Sequence, residues 1–176
     1  MKKIFFLSSV LLFLAVALSA QTTSIKVGYV DSQVILNQYP PAVKAQSDLD
    51  ALIQVWNKQI DSMTVALQQA YQAYQQQAET MTPDARATKE QEIVQKQQTL
   101  DQFKQSKYNQ QSGQLYVKQE EKLGPIKEKV FDAIDRVAKE EGMSFVFDKA
   151  GDVVLLYADA QYDITFKVLD NLKRGK

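Results

Sequence analysis

Ten positions, Leu49, Ile53, Trp56, Ile60, Met63, Leu67, Ala70, Tyr74, Gln77 and Met81, recur at alternating spacings of four and three, and only Gln77 among them is strongly polar. Apolar residues at that spacing form one stripe on an α-helix, and the stripe needs a second helix to cover it. The pattern predicts a helix over residues 41–81. Pro41 suits its first turn, where a missing N–H would have no helical partner anyway. Thr82-Pro83-Asp84 marks the break: Thr82 is an N-cap residue and Pro83 an acceptable first helical one. A second helix is expected from there to about residue 123. At ~1.5 Å per residue, helices of about 40 residues span roughly 60 Å each, and the short turn between them makes them antiparallel.

Shorter elements flank this pair. Ile25, Val27 and Tyr29 alternate with Lys26 and Gly28, the pattern of a strand. Asp31 or Ser32 can cap a short helix over 33–38, which Tyr39-Pro40-Pro41 ends because proline disfavours helix in the residue before it. Gly124-Pro125 is expected to interrupt the second long helix. Pro125 then returns beside Pro40-Pro41, so Pro41, Gly124 and Pro125 are candidate hinge residues where the long pair joins a body. Helix resumes over 126–141, with Ile126, Val130, Ile134 and Val137 on one face and Gly142 as the C′ residue. Residues 144–148 and 153–157 are expected as strands of a hairpin turning at Lys149-Ala150-Gly151-Asp152. An amphipathic helix over 163–173 closes the chain, its apolar set Ile164, Val168, Leu169 and Leu172. The fold class is α+β, mainly α: a long antiparallel helical hairpin (41–123) on a small β body built from 21–40 and 124–176.

That body is small for an independent core. Its strands are apolar on both faces, Phe145 and Phe147 opposing Val146, and Val153, Leu155 and Tyr157 opposing Val154, Leu156 and Ala158. Strands of this kind need cover on both sides. The local helices supply one cover, and strands from other copies of the chain are the expected second.

Inside the hairpin the two helices are mismatched. Folding about residues 82 and 83 brings Met63 near Phe103, Leu67 near Leu100, and Leu49 near Tyr116 and Val117. The stretch 104–114 offers one large side chain, Tyr108, opposite Ile53, Trp56 and Ile60. Either Lys and Gln stems cover those residues, making a soft coiled coil, or Ile53, Trp56, Ile60 and Tyr108 form an adaptable apolar surface for other chains. Gly113 within a helix costs about 1 kcal/mol against Ala, so this stretch is expected to flex. The stripe Leu67, Ala70, Tyr71, Tyr74 and Met81 is read as hairpin core. Of the 23 glutamines, 19 lie between Gln46 and Gln119, either as composition drift on a solvated face or as a polar lining that neither attracts nor repels any particular charge pattern.

Composition narrows the functional classes. Met1-Lys2-Lys3, an apolar run over 4–17 broken by Ser8 and Ser9, and the small residues Ala17-Leu18-Ser19-Ala20 read as a signal peptide cleaved after Ser19 or Ala20. The run is short for a spanning helix. Loss of Lys2 and Lys3 takes two from the 21 basic residues against an unchanged 21 acidic ones, a net charge near −2. No basic field points to nucleic acid. The absence of Cys and His excludes disulfides, thiolate nucleophiles, imidazole bases and the usual zinc or copper sites. There is no Gly-rich phosphate loop and no Gly-x-Ser-x-Gly elbow. No catalytic, cofactor-binding or metal-binding residues are therefore expected, and the chain is not read as an enzyme. Asp148, Asp152, Asp159 and Asp163 are read as turn and cap residues.

Four places together resemble the OmpH-like (Skp) family of periplasmic chaperones: Val27-Gly28-Tyr29-Val30-Asp31-Ser32-Gln33; the long Gln/Lys-rich hairpin; the run from Pro125-Ile126 through Lys129-Val130, Ala133-Ile134 and Val137-Ala138-Lys139-Glu140-Glu141-Gly142; and the ending Phe147-Asp148, Val154-Leu155-Leu156-Tyr157-Ala158-Asp159, Asp163-Ile164-Thr165 and Val168-Leu169. The resemblance implies a homotrimer whose arms hang around a cavity from a shared β barrel. Its trimer core would comprise Val27, Tyr29, Val30, Phe145, Phe147, Val153, Val154, Leu155 and Leu156. It also implies ATP-independent holding of unfolded outer-membrane β-barrel proteins in the periplasm; it carries over no client residues, and Ile53, Trp56, Ile60 and Tyr108 are candidate client contacts from the hairpin mismatch alone. Well-known members are strongly basic. This near-neutral chain departs from them, which leaves at most a weak contact with a membrane surface. The competing class is an exported coiled-coil scaffold or spacer that binds one folded envelope partner.

Overall fold

The computed structural model describes residues 25–152 and 154–175, so the leader read in residues 1–20 and Val153 lie outside the described residues. In chain order the elements are β1 (Val27–Val30), α1 (Ser32–Gln38), α2 (Pro40–Gln77), α3 (Pro83–Tyr108), α4 (Gln114–Glu140), β2 (Phe145–Asp148), a 3-10 turn (Ala160–Tyr162) and α5 (Thr165–Lys173). The helix starts follow the capping chemistry. The Val34 amide donates to Asp31 Oδ1 at 2.9 Å, and the Ala85 amide donates to Thr82 Oγ1 at 3.3 Å. Pro40 and Pro41 open α2. Gly142 leaves α4 with φ +66°, a left-handed conformation that glycine adopts without steric cost.

The arm is the α2–α3 hairpin, extended at its base by the first turns of α4. Of the ten seam residues, Leu49 and Trp56 are buried and all the others but Gln77 are partly buried. Cross-arm hydrogen bonds give the register: Tyr74 donates to Glu90, and Tyr108 donates to Asn57 at 2.7 Å. This is the register expected for the outer arm.

Nearer the body the expected register fails. The helix predicted to about residue 123 stops at Tyr108, and a new one starts at Gln114. Between them, Asn109 Oδ1 accepts hydrogen bonds from the amides of Gln111 and Ser112, at 2.9 and 3.0 Å. The Gly113 amide donates to Asn109 O at 2.9 Å. Gly113 is buried, and a Cβ there would lie 2.5 Å from Asn109 N and 2.9 Å from Lys107 O. Glycine is thus required by close backbone approach, in place of the mid-helix role expected for it. Tyr116 and Val117 are exposed and do not cover Leu49.

The break expected at Gly124-Pro125 is absent, and α4 runs through Pro125. Proline disfavours helix in the preceding residue partly through that residue's Cβ, and Gly124 has none. Pro125 is exposed, so the carbonyl it leaves unpaired lies on the solvent side. Ile126, Val130, Ala133 and Val137 then pin the helix into the core. Ala133 takes the fully buried place on this face, while Ile134 packs at its margin.

The body's core joins Val30, Ile35 and Tyr39, the base of α2 (Ala42 and Ala45), the α4 stripe, and Ile164, Val168, Leu169 and Leu172 of the last helix. The apolar set predicted for that last helix is the one observed. The sheet differs from expectation. β1 and β2 pair in parallel, Val27 with Phe145 and Tyr29 with Phe147. Among the described residues no hairpin forms: the chain turns after Asp148, but residues 154–158 are irregular rather than a strand. Among the described residues no helix is long and apolar enough to cross a membrane.

Candidate functional site

Alternation along β1 and β2 divides the sheet into two faces. Val30 and Val146 face the helical core. Val27, Phe145 and Phe147 lie on the other face and are exposed. The apolar residues that follow the turn are bare too, with Val154, Leu156 and Tyr157 among the most exposed in the body and Leu156 94% exposed. A groove of about 700 Å³ separates Val27 and Phe147 from Leu155 and Tyr157. Exposed apolar surface of this kind makes the region a candidate interaction site.

The residues predicted for a shared β core therefore separate. Val27, Phe145, Phe147, Val154 and Leu156 are available to a partner, and Leu155 is partly so. Val30 is consumed by the protomer's own core, contrary to its assignment to a shared face. Tyr29 is also buried within the chain, beneath the segment that leads into α5: the Ile164 amide donates to Tyr29 O at 3.0 Å. Burial, then the charges of Asp163 and Asp159, raise the Tyr29 pKa above its usual value.

Of the acidic residues read as caps and turns, Asp148, Asp159 and Asp163 accept backbone amides. Asp148 Oδ1 accepts from the amides of Ser32 and Ala150, each at 3.0 Å, and Oδ2 accepts from the Ser32 hydroxyl. Burial pushes the Asp148 pKa up, but these hydrogen bonds outweigh it and leave the pKa below the usual value. Asp159 accepts from the Gln161 amide at 3.0 Å, and Asp163 from the Thr165 amide at 2.9 Å.

The four candidate client contacts on the arm come together, but not as a bare surface. Trp56 is only 7% exposed. The Tyr108 ring meets it edge-on with centroids 6.0 Å apart, and Lys107 Nζ lies 5.3 Å from its centroid. Lys107 also donates to Gln114 at 2.6 Å, spanning the interruption. Ile53 and Ile60 are partly buried. Trp56 is thus covered by Tyr108 and the Lys107 ammonium, which favours the covered coiled coil over the open apolar surface of the two readings. Conversely, Tyr71, grouped with the hairpin core, is 51% exposed. No heptad argument finds it, since it lies beside the seam and not in it.

Comparison with known proteins places this architecture. The family model described as outer membrane protein (OmpH-like) matches residues 26–172. No curated protein matches the chain. Among solved structures, a candidate outer membrane chaperone (OmpH-like) from Caulobacter crescentus CB15 superposes with a TM-score of 0.67 at 16% identity, covering 86% of each chain. At that identity the likeness bears on the fold.

Proposed function

Because the chain belongs to the OmpH-like family, we propose that it is an ATP-independent periplasmic holdase, a homotrimer whose arms enclose unfolded outer-membrane β-barrel proteins and keep them from aggregating. The observation that carries this reading is the pairing of a long, thin arm with a body whose sheet is bare on one face. The bare face, Val27, Phe145 and Phe147 with Val154 and Leu156, supports assembly. Burying such side chains in a neighbouring copy gains about 1.5–3 kcal/mol each. At ~1.5 Å per residue, the 38 residues of α2 span about 57 Å, with the base at Ala42 and Ala45 packed into the body.

A cavity between arms slows aggregation by excluding other unfolded chains, even where each contact is weak. Several weak contacts act together through effective concentration. Release needs no nucleotide if the client's inserted state is more stable than its held state. The protein works as a chaperone without catalysis, and the leader delivers it to the periplasm.

The test dilutes a urea-unfolded barrel protein into excess mature chain, with and without ATP, and measures the client left after pelleting. Retention in solution independent of ATP is the expected result. A client that pellets regardless overturns the reading. Retention of one natively folded partner alone transfers it to the scaffold class.

A further inference from the structure

Where the sheet meets the end of α4, a methionine fills the place of a missing side chain. A Cβ on Gly28 would lie 2.1 Å from Met143 Sδ and 2.8 Å from Met143 Cε. Gly28 pairs with Val146 on the helical side of the sheet, away from the bare face, and Met143 packs against the core. The Met143 backbone is fixed from both sides. Its amide donates to Ala138 O at 2.8 Å and the Gly142 amide donates to Lys139 O at 3.1 Å, the Schellman motif that closes α4. The next amide, of Ser144, donates to Lys26 O at 2.7 Å, just before the pairing with β1 begins. The thioether thus joins the end of α4 to the sheet. It is partly buried, between the exposed residues Gly142 and Ser144.

We infer that Met143 is an oxidation site whose conversion to the sulfoxide by a peroxide loosens the body. The balance is simple. A lone pair on sulfur bonds to one peroxide oxygen and the O–O bond breaks. The proton on the transferred oxygen passes to the departing hydroxide, which leaves as water. Sulfur loses two electrons and the peroxide gains them. The new oxygen accepts hydrogen bonds and donates none. Besides the two Met143 atoms, the atom nearest the Gly28 seat is Tyr162 O, 3.2 Å from the same point and itself an acceptor. The sulfoxide either stays, with its oxygen facing an acceptor instead of a donor, or withdraws and leaves the seat over Gly28 empty. Both cost stability. Met63 and Met81, the other methionines of the mature chain, lie on the arm and outside the body's core. The effect concerns the body's stability and does not rest on the holdase reading.

The experiment treats the full mature chain with hydrogen peroxide, locates the added oxygen by peptide mass mapping, and measures urea midpoints at one fixed protein concentration. Met63→Leu combined with Met81→Leu leaves Met143 as the one oxidisable sulfur, and Met143→Leu removes it with little change of volume. Oxidation of the arm double variant is expected to lower its midpoint by about 1 M, and methionine sulfoxide reductases with dithiothreitol are expected to restore it. Peroxide is expected to shift Met143→Leu by less than about 0.3 M. A Met143 that gains oxygen only after the chain is unfolded, an oxidised Met143 with an unchanged midpoint, or an equal loss in Met143→Leu overturns the inference. The arm double variant, compared before and after oxidation, decides the question even if Met143→Leu fails to fold.

Discussion

Lys122 donates to Asp48 at 3.1 Å, although the register set farther out by Asn57 and Tyr108 would bring Val117 opposite Asp48. The difference is taken up by the interruption at 109–113, whose residues leave the helical ladder and return. The base of the arm can thus present Lys122 to Asp48 while the outer arm keeps its heptad seam. The hydrogen bond from Lys122 is the chief cause of the lowered Asp48 pKa.

Gly113 is the residue on which that shift depends. In a solvated helix interior, Gly→Ala stabilises by about 1 kcal/mol. Here a Cβ would sit 2.5 Å from the Asn109 backbone nitrogen. Gly113→Ala is therefore expected to destabilise by about 2 kcal/mol, read as a lower urea midpoint. A stabilised variant would mean that the stretch is helical.

Trp56 is buried beneath Tyr108 and Lys107. Trp56→Ala should cost about 3 kcal/mol, in the range for deleting a large buried aromatic. A thermal melt followed by circular dichroism reads it. Unchanged stability combined with lost client retention would return Trp56 to the role of an open contact.

Pro125 lies inside a continuous helix. Pro125→Ala restores a backbone hydrogen bond and is expected to stabilise, by up to about 3 kcal/mol, with client retention unchanged. Lost retention in a more stable variant would instead establish the residue as the hinge that its position first suggested.

The Asp148 pKa is lowered in the folded chain. Its stabilising effect is complete above the unfolded value, about pH 4, and is lost as pH falls through the lower folded value. Asp148→Asn should cost about 1–2 kcal/mol at neutral pH, and the gap from wild type should narrow as pH drops below about 4. Urea midpoints measured across pH 2–7 check this. A gap that stays constant with pH would remove Asp148 from the acid response.

The long helices, their caps and the last helix's apolar face were legible because they depend on local chemistry: Thr82, Pro83, Asp31 and the spacing of Ile164, Val168, Leu169 and Leu172. The interruption at 109–113 was not, because Lys, Gln and Ser around it are compatible with helix and Asn109 reveals its turn only through bonds to Gln111 and Ser112. The unbroken helix at Pro125 reflects tertiary packing that outweighs propensity. The parallel pairing of Val27–Val30 with Phe145–Asp148 joins distant segments, which periodicity does not register. Residues 154–158 have strand composition but find no strand partner within one chain. Of the candidate site, the apolar character of both strand faces was legible from alternation, whereas Tyr71 was hidden beside a seam that explained its neighbours.

Sedimentation velocity of the mature chain, alone and after dilution of urea-unfolded outer-membrane barrel protein into it, tests the central claim most directly. The account predicts a trimer that carries one client in solution. A monomer or dimer, or a trimer that leaves the client to pellet, would contradict it.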